Sequence, residues 1–422
     1  MNYIRKVQID EFWGDKKVVL EFTQNENFLI GVNGSGKTTI INLIASAINA
    51  DFITLDRIEF KKITIYLTPY NSKVNKTKIV VTKTYDEYSS YNEITFDIYK
   101  GREKYRSYNL NSLQEERIIR NKHLFTKNIF QNRKDLEYEL SKLFNTSWLS
   151  INRTSDKFKK NDDNSFESLI DLKLFEFNHQ LSGYLAELSR KANEETEKFQ
   201  KEIFLSLLAT ESENALLKTL DKLDVDKEAS SLKDIYKLFN LKPSEYQNKL
   251  DNYIRNYKAA KKKIENTQLN FIEAEYLIGV KRIHTIIDKW KLLLNEQENI
   301  FSPKRNFIQV INQLFQRKEI LINERNQLYV VTQSGKEFSV QNLSSGEKQL
   351  LIIFGEALLQ RQKTHIFIAD EPELSLHVEW QEKLVSSLKI LNPYAQLIFA
   401  THSPDIVGKY FKSVLQIEKC YK

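Results

Sequence analysis

Gly31-Val32-Asn33-Gly34-Ser35-Gly36-Lys37-Thr38 is the stretch that decides the fold, because it is a glycine-rich loop between a strand and a helix. The apolar run Phe28-Leu29-Ile30 enters the loop, and apolar periodicity predicts a helix from Thr38 to Ile48. In this context the backbone N–H groups of the loop wrap phosphates, and the helix dipole favours negative charge. Lys37 is expected to reach the β- and γ-phosphates of a nucleotide, and Thr38 to bind Mg²⁺. The candidate nucleotide-binding residues of this loop are Gly31, Asn33, Gly34, Ser35, Gly36, Lys37, Thr38 and Thr39.

A second motif, Ile366-Phe367-Ile368-Ala369-Asp370-Glu371-Pro372, supplies two carboxylates after an apolar run. Asp370 follows four apolar residues, so it is predicted at the carboxyl end of a core strand, where open α/β sheets place ligands. It is the candidate metal ligand beside Thr38, directly or through water. Glu371 is the candidate catalytic base that orients and deprotonates the attacking water. With the glycine-rich loop, this pair predicts ATP and Mg²⁺ as the ligands.

Leu343-Ser344-Ser345-Gly346-Glu347 resembles the signature motif of ABC ATPases. In that family a serine hydroxyl and the N-terminus of the next helix face the γ-phosphate held by the opposite protomer. The residues suit that task, since glycine permits a close backbone approach and the helix dipole attracts an anion. Ser344, Ser345, Gly346 and Glu347 are therefore candidate nucleotide contacts, although an ordinary helix N-cap has the same composition.

Two histidines follow the acid pair. His402, in Thr401-His402-Ser403-Pro404, ends an apolar strand and resembles the switch histidine that contacts the γ-phosphate in ABC ATPases. His377 stands where transporter subunits of the family usually have aspartate, in the loop that crosses the dimer interface. Whether His377 senses the opposite nucleotide or only packs stays open. Arg153 lies near the position of the family's glutamine loop, and two alternatives stay open for it: contact with phosphate or the partner subunit, and a structural salt bridge.

The composition of the chain limits the class of protein to which it can belong. The chain has 422 residues, 41% of them hydrophobic and 28% charged, which suits a globular protein of two or three domains. A single cysteine, Cys420, precludes an intramolecular disulfide and fits a reducing cytoplasm. No apolar run approaches the ~20 residues that span a bilayer, so no membrane contact is expected. The net charge of +7 permits nucleic-acid binding without requiring it.

The order of the patterns predicts an α/β, ABC-type P-loop ATPase head with an antiparallel β subdomain, split by a helical insertion. Residues 1–155 are interpreted as the N-terminal half of the head and residues 303–422 as its C-terminal half. Between them, residues 166–302 lose nearly all glycine and show helical spacing, with a turn at Pro243. A short coiled coil or bundle is expected there, because the apolar pattern is not a clean heptad repeat.

Taken together, these motifs resemble those of the RecF/SMC-like soluble ABC ATPases. Glu-Pro-Glu-Leu-Ser-Leu-His (371–377) is most similar to the overcoming-lysogenization-type ATPases of anti-phage systems such as PARIS and Septu. The resemblance implies an ATP-bridged homodimer or higher homo-oligomer. Members often carry a C-terminal Toprim nuclease, for which the roughly 20 residues after His402 leave no room, so it also implies a separate protein effector, typically a nuclease.

The resemblance favours a sensor and switch, in which the ATP state controls capture or release of the effector in defence against phage. Two other functions compete with this hypothesis. One is a DNA-acting repair or recombination ATPase, favoured by a basic segment without acids that holds Arg117, Arg120, Lys122, Lys127, Arg133 and Lys134. The alternative for that segment is a solvated helix face. The other is a transporter subunit, which the size of the insertion and the histidine at position 377 both disfavour.

Overall fold

A computed structural model describes residues 1–70, 77–85, 92–111, 126–150, 168–207, 224–238, 240–265 and 271–422. The chain divides into two compact units, one of residues 1–184 with 303–422 and one of residues 185–302. Arg117, Arg120, Lys122 and Arg153 lie outside the described residues. Among the described helices, none is both long and apolar enough to cross a membrane.

The described strands are fourteen in number. They are β1 (Asn2–Phe12), β2 (Lys16–Glu21), β3 (Glu26–Ile30), β4 (Lys62–Pro69), β5 (Thr77–Tyr85), β6 (Asn92–Lys100), β7 (Glu103–Asn111), β8 (Thr146–Ser150), β9 (Lys318–Ile322), β10 (Leu328–Thr332), β11 (Glu337–Ser339), β12 (His365–Asp370), β13 (Ala395–Ala400) and β14 (Val414–Gln416). The described α-helices are α1 (Lys37–Asn49), α2 (Phe52–Arg57), α3 (Thr126–Leu143), α4 (Leu169–Leu207), α5 (Val225–Leu238), α6 (Pro243–Glu265), α7 (Phe271–Asn312), α8 (Ser345–Leu359), α9 (Val378–Leu391), α10 (Pro404–Val407) and α11 (Ile417–Cys420).

A parallel sheet in the order β14-β3-β13-β12-β8 forms the centre of the first unit. Its strands are short and apolar, as expected for a sheet buried on both faces. In the register, Asp370 lies opposite Ala400, and Ala400 lies opposite Leu29. The carboxyl ends of β3, β12 and β13 therefore meet at one edge of the sheet.

An antiparallel sheet in the order β2-β1-β4-β5-β6-β7 belongs to the same unit. Alternating residues such as Val7, Ile63 and Ile79 point into one apolar core shared with α1, α2 and the parallel sheet. Strands β4, β5 and β6 confirm the predicted antiparallel β subdomain, and β7 extends it at the edge of the sheet. A third sheet, β11-β10-β9, precedes the signature motif.

The second unit consists of helices that pack as antiparallel pairs. In one pair, Phe199 on α4 packs edge-to-face on Trp290 of α7, and Gln297 donates a hydrogen bond to Thr196 (3.1 Å). In another, the rings of Tyr236 on α5 and Tyr246 on α6 lie 4.9 Å apart. The α/β fold with an antiparallel sheet and a helical insertion is thus confirmed.

Two helical glycines of the first unit provide a matched test of packing. A Cβ on Gly355 would lie 2.3 Å from the ring of Phe177, which is itself buried against Phe307, whereas Gly183 has open space around it. Gly355→Ala is expected to lower the free energy of unfolding by about 1–3 kcal/mol through overpacking. Gly183→Ala is expected to raise it by roughly 0.5–1 kcal/mol. Urea unfolding followed by circular dichroism measures both, and shifts of the same sign would contradict the packing described.

Candidate nucleotide-binding site

The glycine-rich loop joins β3 to α1 and exposes the N-terminus of that helix. Gly36 precedes the helix with a φ of 91°, a left-handed conformation that favours glycine, and no side chain caps the first turn. The first N–H groups of α1 are therefore available to an anion. Loop residues Asn33, Gly34 and Gly36 and helix residues Lys37, Thr38 and Thr39 line one open cleft.

Lys37 is folded back on the loop. Its ammonium group donates hydrogen bonds to the carbonyl oxygens of Gly31 (2.7 Å) and Val32 (3.0 Å). Burial lowers the pKa of Lys37, and the carboxylates of Glu418, Glu371 and Asp370 oppose that shift. A buried cation surrounded by carbonyls and acids is suited to exchange these partners for phosphate oxygens.

Thr38 and Asp370 come together as the sequence predicts. The Thr38 hydroxyl donates to Oδ1 of Asp370 at 3.2 Å, across the gap between α1 and the end of β12. Two hard oxygen donors at this distance fit Mg²⁺, which prefers few protein ligands and completes its shell with phosphate oxygens and water. These two residues would hold the ion, and its charge would neutralise the phosphates.

Glu371 and His402 face each other across the cleft, with 3.9 Å between Oε1 and Nε2. Glu371 has a positive φ of 49°, an uncommon conformation for a residue with a side chain, and its N–H bonds the carbonyl of Ala400 (2.8 Å). Backbone strain at the end of a buried strand is typical of functional positions. The pair places a carboxylate, which can act as a general base toward water, and an imidazole side by side near the P-loop.

Glu373 ties this histidine to the loop after β12. The buried carboxylate accepts hydrogen bonds at Oε1 from the Thr401 hydroxyl (2.5 Å) and from the backbone N–H groups of His402 (2.9 Å) and Ser403 (3.3 Å). The Ser403 hydroxyl also donates to Gln381 on α9 (2.6 Å). The backbone of His402 is thus held by the segment that follows Glu371.

The signature motif begins α8 with a complete capping box. The Ser344 side chain accepts the Glu347 N–H, and Glu347 accepts the Ser344 N–H (3.0 Å) and pairs with Lys318 (2.7 Å). Burial acts to raise the pKa of Glu347, but the bonds from Lys318 and Ser344 outweigh it and lower that pKa. The Glu347 carboxylate is therefore engaged within the helix start, as in the ordinary N-cap alternative, while Ser344 and Ser345 remain exposed.

Gly346 joins the signature to the loop after the acid pair. A Cβ at this position would lie 2.4 Å from the carbonyl oxygen of Ser375, so only glycine fits without a shift of the backbone. Gln349, one turn later, donates to the carbonyl of Pro372 (3.1 Å). The N-terminus of α8 and the loop from Pro372 to Ser375 therefore form one connected structure.

The cleft does not contain every predicted residue. Glu371 and His402 line it together with the loop, and Asp370 reaches it through Thr38. Ser344, Ser345, Gly346, Glu347 and His377 are not among the described residues that line it. His377 occupies the N-cap position of α9 and makes no side-chain capping bond.

Several residues at the cleft escaped the sequence interpretation. Trp13 lies over the loop, where its ring would be 2.9 Å from a Cβ on Gly36, and Gln381 lines the far side. Glu373 belongs to the quoted Glu-Pro-Glu run and could have been recognised from it. Trp13 offered no signal, because a tryptophan after a strand is compatible with many roles.

Parallel strands that bring a P-loop, an acid pair and a histidine to one edge form the arrangement of a P-loop ATPase domain. Comparison with known proteins agrees with this class. The chain belongs to the family described as "AAA domain, putative AbiEii toxin, Type IV TA system", which its residues 27–408 match.

Individual proteins match the chain at low sequence identity. Over 129 residues the chain is 30% identical to the "Retron Vc95 probable ATPase" of Vibrio cholerae serotype O1 biovar El Tor; the match covers 28% of this chain and 24% of that relative. Among solved structures, the Smc head domain with an extended coiled coil from Pyrococcus furiosus, bound to the C-terminal domain of ScpA, has 14% identity and a TM-score of 0.44, over 96% of this chain and 91% of the other. The Smc head domain with a coiled coil and joint from Pyrococcus yayanosii has 16% identity and a TM-score of 0.38, over 96% and 93%.

Glu373→Ala tests the tie between the two loops. The change leaves the Thr401 hydroxyl and two backbone N–H groups without their acceptor in a buried site, so a loss of about 2–4 kcal/mol in the free energy of unfolding is expected. Glu382→Ala, at an exposed position on α9, serves as the matched control and should change it by less than about 0.5 kcal/mol. If the wild type and Glu373→Ala unfold at the same denaturant concentration, the structural role of Glu373 is contradicted.

Proposed function

We propose that the chain is an ATP-hydrolysing switch in which two copies close on ATP and Mg²⁺ and thereby control a separate protein effector, a nuclease, in defence against phage. The observation that carries the proposal is the position of the signature motif. Its exposed serines begin a helix but do not line the cleft formed by the P-loop of the same chain. A second copy supplies that helix N-terminus to the γ-phosphate in this proposal.

Within one copy, each residue has a defined task. Lys37 leaves the carbonyls of Gly31 and Val32 for the β- and γ-phosphates, and Thr38 with Asp370 holds Mg²⁺. Glu371 orients the attacking water and accepts its proton, while His402 contacts the γ-phosphate from the opposite side of the water. The contact of Gly346 with Ser375 connects the trans signature to the segment that carries Glu371 and Glu373.

Trp13 extends the site beyond the phosphates. It is partly exposed, stacks on Phe12 with 4.6 Å between ring centroids, and lies beside Gly36 at the start of α1. An indole held in this way offers a flat face on which the adenine base stacks. In this proposal the indole binds the base and the phosphate loop binds the phosphates, which favours a nucleotide over phosphate alone.

The role in defence rests on two supports of different kinds. The Glu-Pro-Glu-Leu-Ser-Leu-His run resembles the ATPases of anti-phage systems. The relative named above is described as a retron "probable ATPase", and the shared segment is about a quarter of its length. Neither support identifies the effector, and the nuclease is inferred from the resemblance.

Glu371→Gln is expected to bind ATP and to release phosphate at least about 100-fold more slowly, because the amide accepts no proton from the water. Sedimentation with ATP and Mg²⁺ should then show a stable dimer or higher oligomer. Lys37→Ala, which removes the phosphate ligand, should bind no nucleotide and stay unassociated under the same conditions. Full turnover in Glu371→Gln, with Glu382→Gln as the surface control, would exclude Glu371 as the base.

A second candidate function is binding of DNA, favoured by a charged groove. The basic groove consists of Arg5, Lys6, Lys78, Lys100 and Arg102 on the face of the antiparallel sheet opposite its core. Glu21 and Glu103 also line it, and Lys6 pairs with Glu21 (3.1 Å). Within the part of the chain that the structure describes, no acidic side chain forms an ion pair with Arg5 or Arg102.

The basic segment predicted from sequence gives less support. The structure does not describe the side chain of Lys127 or any part of Arg117, Arg120 and Lys122. Arg133 on α3 pairs with Glu137 (3.0 Å), and Lys134 is exposed. An arginine already paired within its own helix contributes less to a phosphate-binding surface.

A pull-down of tagged Glu371→Gln with ATP and Mg²⁺ from its native host, with and without added nuclease, separates the two functions. The switch predicts a stoichiometric protein partner that survives digestion. DNA binding predicts that DNA is recovered and that the partners are lost on digestion. It also predicts that the double variant Arg5→Gln, Arg102→Gln binds DNA at least about tenfold more weakly than the unsubstituted chain at low salt. Loss of the partners on digestion would overturn the effector proposal.

A further inference from the structure

The last described residues of the chain contact the phosphate loop. β14 runs parallel to β3, with Gln416 opposite Ile30 at the start of the loop. Ile417 is buried in the core, and the backbone of Lys422 bonds that of Lys17 on β2 (2.8 Å). These anchors hold the segment between them, residues 418–421, against the loop.

Two side chains of this segment bind the backbone of the loop. The carboxylate of Glu418 accepts the N–H of Val32 at 2.7 Å, and the hydroxyl of Tyr421 donates to the carbonyl of Ser35 at 2.6 Å. Both side chains approach glycines of the loop closely. A Cβ on Gly31 would lie 2.6 Å from the Glu418 carboxylate, and one on Gly36 would lie 2.9 Å from the Tyr421 hydroxyl. The loop is thus shaped by this segment as well as by its own sequence.

Glu418 also places a negative charge beside the phosphate site. Hydrogen bonds from backbone N–H groups, its own and that of Val32, lower the pKa of this exposed carboxyl, so it is ionised at neutral pH. Among the acids that influence Lys37, Glu418 has the largest effect, ahead of Glu371 and Asp370. A nucleotide triphosphate would bring further negative charge to the same lysine.

We propose that Glu418 competes electrostatically with the nucleotide for the phosphate loop, and that Tyr421 holds the loop in its binding conformation. Glu418 lowers the affinity for a triphosphate, and Tyr421 raises it. Both act as positioning residues of the site, because neither touches the reacting atoms. The inference rests on the proposed nucleotide binding and adds a means of regulating the same site. A partner that draws residues 418–421 away from the loop would change the affinity for ATP.

Glu418→Gln removes the negative charge but keeps the size of the side chain and its hydrogen bond, because the amide oxygen still accepts the Val32 N–H. At low ionic strength the variant is expected to bind ATP about threefold more tightly than the wild type, with a smaller gain for ADP. The gain should nearly vanish in about 0.5 M NaCl, where the charge of an exposed group is screened. Tyr421→Phe should bind ATP about three- to tenfold more weakly at either salt concentration.

The measurement is the dissociation constant of a fluorescent ATP analogue, titrated against the full chain with Mg²⁺ at the two salt concentrations. Glu324→Gln, in the exposed turn between β9 and β10, removes an equal charge elsewhere and should leave the affinity unchanged. If the wild type binds no nucleotide, the proposed function fails. If it binds and Glu418→Gln binds no more tightly at low salt, the competition by Glu418 is wrong. Unchanged affinity in Tyr421→Phe overturns the role of Tyr421.

Discussion

The register of three parallel strands is the constraint on which the site depends. β13 lies between β3 and β12, and Ala400 stands opposite Leu29 on one side and Asp370 on the other. A shift of either pairing would carry the phosphate loop, the acid pair or His402 away from the common edge. Since all three strands are buried and apolar, such a shift would also disrupt the core that they share with α1.

The loop that contains the buried carboxylate of Glu373 connects His402 to the signature helix at this edge. It holds the backbone of His402 from one side, while Pro372 and Ser375 of the same loop contact Gln349 and Gly346 of the signature helix. The signature helix and the backbone of His402 are therefore linked through this loop by two hydrogen bonds.

The phosphate loop is held from three directions by groups that a nucleotide must displace or satisfy. Lys37 bonds its carbonyls, Glu418 accepts one of its N–H groups, and Trp13 covers Gly36. This arrangement keeps a loop of small residues ordered, and it makes the affinity for phosphate a balance between the loop's own dipoles and a neighbouring negative charge. The same contacts connect the nucleotide site to the end of β14.

The sequence by itself determined the elements whose signal is local. The P-loop between a strand and a helix, the acid pair after an apolar run and the capped start of α8 each depend on neighbouring residues, and each lies where the pattern indicates. Trp13, Glu418 and Tyr421 could not be assigned in this way. Their partners are distant in the chain, Val32 and Glu418 being 386 positions apart. Only the tertiary structure decided these contacts, because strand pairing and burial bring such groups together and no local periodicity records it.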